Sequence, residues 1–130
     1  MNDQEIQACA ARAWALARSL ELCRGHRPRL KVRRSKVKQG ISGRAYRRSH
    51  RIVLSVGTRS IRGDIVETVL HEVSHLTDGG YNHGPGFRRN FHWIFAAWFS
   101  LPPVQFPGRL LWQRDQRAAE LARAMYGENG

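Results

Sequence analysis

Apolar residues return every three or four positions across residues 3–24: Ile6, Ala10, Ala13, Ala17 and Leu20, with Trp14 beside them. That period predicts an amphipathic helix. Asn2 or Asp3 supplies a cap at its start, and Gly25 a stop at its end. The period then changes. "RPRLKVRRSKVK" sets Leu30 and Val32 between basic residues, the mark of a strand with one buried and one cationic face. "QGISGRAYRRSHRIVLSVG" reads as two more strands, at about 42–48 and 51–56, joined by a tight turn near Ser49 and His50.

Helical spacing resumes at about 64–78, where Ile65, Val66, Val69, Leu70, Val73 and Leu76 share a side. Gly79-Gly80 stops this helix, since glycine readily takes the positive φ that ends one. Pro85 fits the first turn of a third helix, about 86–99, rich in Phe87, Phe91, Trp93, Phe95, Trp98 and Phe99. "SLPPVQFPG" predicts a loop and "RLLWQRDQRAAELARAMYG" a closing helix. Helix, three short strands and further helices define an α+β class with a small antiparallel-type sheet. Repeats, low-complexity tracts and long linkers are lacking, so residues 1–130 are expected to form one domain.

Charge alters this plain picture. The formal net charge is +12. Leu22 to Gly63 contains no acid, while Arg24 to Arg51 holds twelve Lys or Arg. A solvated face mixes signs; a one-sign block implies an anionic partner. Nucleic acid, with its dense phosphates, is the expected one, through the basic segment 24–62. No apolar run reaches the roughly 18 residues of a membrane span, so no membrane partner is expected. The first residues lack a secretory pattern, and a cytoplasmic monomer is the expectation. Cys9 and Cys23, read as lying fourteen apart on one helix, are too distant to bond and read as reduced core thiols. No CxxC pair encodes a cysteine-based finger.

The chemistry concentrates in "VLHEVSHLTDGGYNHGPGF". His71 and His75, four apart on a helix, present both rings on one face and can grip one ion. Neutral imidazole is a common zinc ligand. Glu72 points about 100° away around the axis, so it can flank the ion without binding it and move protons beside it. Catalytic zinc sites take three protein ligands and keep one position open. After the glycine break, His83 arrives eight residues beyond His75 as the third ligand, with Phe87 and Phe91 packing beneath.

Other candidates rank lower. His92 is the runner-up third ligand, and Asp78 could also ligate. The longer metzincin pattern needs Gly and His where Asp78 and Tyr81 stand. His26 and His50 fall in basic turns and read as solvent or phosphate contacts. Glu67, one turn before His71, could orient that ring, although a surface glutamate is the plainer reading. Tyr46 and Tyr81 could each donate to an oxyanion, but packing is the plainer role.

"IVLSVG", a helix with "HEVSH", and then "HGPGF" together resemble the SprT-like zinc metallopeptidases over roughly residues 28–99. In that family a strand with a Leu-Ser pair precedes the HExxH helix, and a later His-Gly-x-x-Phe supplies a ligand and a core aromatic. The basic "RRSK" segment is similar also to YgjP-type metallopeptidases. The resemblance implies a minimal zincin-like domain with one zinc ion on His71, His75 and His83, and Glu72 as the catalytic acid/base. It further implies an endopeptidase of protein or peptide substrates, with a DNA-associated role among family members. The competing reading is a non-catalytic, zinc-containing nucleic-acid-binding module.

Overall fold

The computed structural model describes residues 1–79 and 82–100. The expected loop after residue 100 and the closing helix lie outside these residues.

Helix α1 (Asp3–Ser19) starts at a reciprocal cap. The Glu5 backbone N–H donates to Asn2 Oδ1 at 2.8 Å, and the Asn2 backbone N–H donates to Glu5 Oε1 at 3.0 Å. The Asn2 backbone, and then Arg62, hold the Glu5 carboxyl below its ordinary pKa. The helix ends five residues before the expected limit of 24. Glu21 adopts a left-handed φ of 61°, and the Leu22 N–H reaches back to Ala17 O at 2.9 Å. This is a Schellman-type closure made without glycine, and Leu22 then packs against the core. Cys23 therefore lies past the helix, not on it. It is buried, and burial raises its thiol pKa to about 11. Both cysteines are free.

Three strands follow, β1 (Arg29–Arg34), β2 (Ile41–Tyr46) and β3 (Arg51–Val56), in the spatial order β1-β3-β2. β2 and β3 form the expected antiparallel hairpin around residues 47–50, where His50 takes a φ of 49°. β1, however, pairs parallel with β3. The sheet is thus mixed, which corrects the antiparallel-type expectation. The cause is the connection after β1. Ser35 N–H bonds Val56 O, and the residues following β3 bond back to Lys38, Gln39 and Gly40 carbonyls. The 35–40 segment is thereby wrapped past the end of β3, so β2 enters on the far side and runs back.

β3 takes the centre because it is the most apolar strand. Ile52, Leu54 and Val56 are buried on its inner face. Arg34 occupies an inner-face position at the end of β1, where its Nη2 lies 2.6 Å from Asp3 Oδ1 of α1. Helices α2 (Arg62–His75) and α3 (Pro85–Trp98) complete the described fold. Ile6, Ala13, Ile65, Leu70, Val73, Phe87 and Ile94 fill one core with β3. Full burial of each large apolar side chain contributes roughly 1.5–3 kcal/mol, offset by ordering entropy. The architecture is α+β. Among the described residues, no helix is long and apolar enough to cross a membrane.

Candidate metal centre

Helix α2 carries the HEVSH segment in its last turns. His71 and His75 are half-buried and project from one side, their ring centroids 5.0 Å apart. The chain then leaves the helix through Leu76. Gly79 takes φ 85°, and its carbonyl passes so close to α3 that a methyl on Gly86 would lie 2.6 Å from it. His83 returns to the pair on the exposed side of this turn.

The three rings converge through like atoms. His75 Nε2 lies 2.9 Å from His83 Nε2, which lies 3.2 Å from His71 Nε2. Neutral imidazole offers one donor and one acceptor, so three Nε2 atoms facing one another cannot all be satisfied by sharing protons. A cation placed among them accepts all three lone pairs at once. Tetrahedral zinc, with Zn–N of about 2.0–2.1 Å, separates its nitrogens by roughly 3.4 Å, close to the spacings here. The donor set therefore fits a borderline-soft divalent ion. His71, His75 and His83 are the one such His/Cys/Asp/Glu group among the described residues.

Phe87, at the first turns of α3, floors the cluster. Its ring stacks on His75 at 4.3 Å and meets His71 and His83 edge-on at 4.9 and 5.0 Å. Phe91 lies 6.0 Å from His71. Asn90, on the same side of α3, is fully buried. Its Nδ2 donates to Thr77 Oγ1 at 3.0 Å and to the Asp78 carbonyl, pinning the segment that leads to His83. Arg47, after β2, donates from Nη1 to His75 O at 2.6 Å and Thr77 O at 3.0 Å, satisfying carbonyls at the α2 C-terminus.

Glu72 is buried, only 6% exposed, on the side of α2 facing β2. Gly43 makes its room. A methyl built on Gly43 would lie 2.7 Å from Glu72 Cγ, 2.9 Å from Leu54 Cδ2 and 3.0 Å from Glu72 Oε2. Glu72, the three histidines, Gly43, Ala45, Arg44 and Arg47 line a cleft of about 310 Å³. Adding a methyl to a strand glycine ordinarily helps folding by several tenths of a kcal/mol. Here Gly43→Ala is expected to destabilise by ~1–3 kcal/mol in urea unfolding, because Glu72 and Leu54 must move. Ser42→Ala, at the exposed neighbour, is expected to stay within ~0.5 kcal/mol.

The remaining candidates fall elsewhere. His92 is half-buried on α3 and Asp78 is exposed; neither joins the cluster. Glu67 is buried, not the surface glutamate expected. His50 lies in the β2–β3 turn, half-buried, edge-on to Trp14 at 5.1 Å and to His26 at 5.4 Å, with its Nε2 2.8 Å from His26 O. Tyr46 is flanked by Arg51 and Arg44 guanidiniums, 4.5 and 5.6 Å from its ring. Tyr81 lies outside the described residues. Sequence reasoning missed Gly43, Arg47 and Asn90. Two of them left signals: a glycine inside a strand pattern marks close approach, and an asparagine on an aromatic helix face marks a buried polar tie.

No protein family, curated protein or solved structure matches this chain.

Proposed function

We propose that this chain is a zinc-dependent endopeptidase of SprT-like type. The observation that carries the reading is the convergence of three Nε2 atoms beside a buried carboxylate in a cleft bordered by an edge strand. His71, His75 and His83 would hold the ion. The chemistry zinc supplies in such a site is Lewis-acid polarisation of a carbonyl and activation of water near neutral pH. Glu72 takes the proton of the attacking water and returns it to the leaving amine. The close approach of Gly43 on β2 leaves Glu72 its room beside the strand, and burial there limits where the carboxylate can go before substrate arrives. The peptide lies extended along β2, whose outer edge offers backbone N–H and C=O groups in strand register.

A non-catalytic zinc module would have no use for a buried, sterically fitted glutamate at the cleft, and the peptidase reading is preferred for that reason. Metal analysis and a casein assay test it together. Purified protein is expected to hold one zinc per chain. Hydrolysis is expected to stop on chelation and return with zinc. Failure to take up zinc, or cleavage indifferent to the chelator, would overturn the proposal.

A further inference from the structure

The sheet has two unlike faces. Ile52, Leu54 and Val56 of β3 point to the helices, so the alternate residues point away from them. Register assigns the neighbours on this outer face. Arg29 lies opposite Arg51, which lies opposite Tyr46; Lys31 lies opposite Val53, which lies opposite Arg44; Arg33 lies opposite Ser55, which lies opposite Ser42. Arg29, Lys31, Arg33, Arg44 and Arg51 are all exposed. No acid stands at any of these outer-face positions. The ion pairs of Arg34 with Asp3 and of Arg62 with Glu5 do not involve these five cations.

This arrangement works against folding. Like charges directly opposite across a strand pair destabilise the sheet, and Arg29 and Arg51 are such a pair. Tyr46 shelters only part of the charge, through the guanidiniums of Arg51 and Arg44. A face kept for solubility alone mixes signs. Five uncompensated cations, alternate residues along β1 being ~6.7 Å apart, instead suit a polyanion that presents charge at regular intervals.

We propose that the outer sheet face binds the phosphodiester backbone of nucleic acid, with Arg29, Lys31, Arg33, Arg44 and Arg51 as the phosphate contacts. Binding there is independent of sequence, because the face offers charge rather than a base-reading element. Contact with the backbone neutralises the Arg29–Arg51 repulsion, so the partner relieves an unfavourable term built into the free sheet.

The test is fluorescence anisotropy of the full chain with a labelled 20-mer, single-stranded and duplex, from 50 to 300 mM salt. Zinc-loaded and chelator-treated chain are read in parallel, so the result is separate from the metal chemistry. The triple variant Arg29→Gln/Lys31→Gln/Arg33→Gln is expected to lose about 10- to 100-fold in affinity at 100 mM salt. Its log–log salt slope is expected to flatten by roughly 2–3, at about 0.9 per lost duplex contact and 0.7 per single-strand contact. The charge-matched variant Arg18→Gln/Arg59→Gln/Arg89→Gln is expected to change affinity less than about threefold. Arg29→Lys/Arg33→Lys keeps the charge and is expected to keep binding, which separates lost contacts from lost fold. Equal losses in the two triple variants would overturn the proposal, as would absence of binding at 50 mM salt. Displacement by poly-glutamate as effective as by unlabelled DNA of equal charge would overturn it in favour of an acidic protein partner.

Discussion

Glu72→Gln is expected to lower peptide hydrolysis by ~10²–10⁴-fold, the usual contribution of a positioned general acid/base, while leaving zinc content unchanged. The substitution is nearly isosteric, so the space that Gly43 leaves for the side chain accepts an amide of the same shape. What is lost is the capacity to accept a proton from water. A carboxylate one residue from His71, yet outside the group of three ligands, can be neutralised without removing a donor to the ion. Parallel readings of zinc per chain, urea midpoint and casein cleavage separate the roles. Unchanged cleavage would remove Glu72 from the chemistry. Loss of zinc along with activity would make it part of the binding set instead.

The elements were legible in the sequence because each rests on a local period. Residues at three and four spacing announced α1 and α2, Pro85 and a run of aromatics announced α3, and alternation announced β1. Ends and partners were not local. α1 closes at Glu21 rather than near Gly25 because Leu22 gains a core contact and a backbone bond to Ala17, and a non-glycine residue accepts a left-handed φ for it. The parallel pairing of β1 with β3 depends on where the 35–40 segment is pinned, which no alternation pattern encodes. The same division holds at the site. His71 and His75 follow from helix geometry, and His83 from the glycine break. The neighbours that aim them come from distant segments: Arg47 from the hairpin, Asn90 from α3 and Gly43 from β2. Sequence thus carries the donor chemistry, and tertiary packing carries the precision.

The second large effect is expected at His83. His83→Ala should reduce zinc affinity by more than ~100-fold, beyond the 10–100-fold typical of residues that only orient a ligand. The two remaining imidazoles lie on one helix face and offer half of a tetrahedral set. The variant should still fold, because His83 is exposed on the turn, whereas the core beneath it is held by Phe87 and Asn90. Thermal unfolding with and without zinc gives a readout independent of cleavage. For the parent chain, zinc at 100 times its Kd should add ~2.7 kcal/mol of stability. That gain should fall to ~0.4 kcal/mol or less in His83→Ala, while the zinc-free melting temperature changes little. His92→Ala and Asp78→Ala, outside the cluster, should retain the full gain. If His83→Ala kept the zinc-dependent shift and His92→Ala lost it, the third donor would belong to α3. The convergence of Nε2 atoms seen here would then be a packing contact among imidazoles on Phe87, not a ligand set.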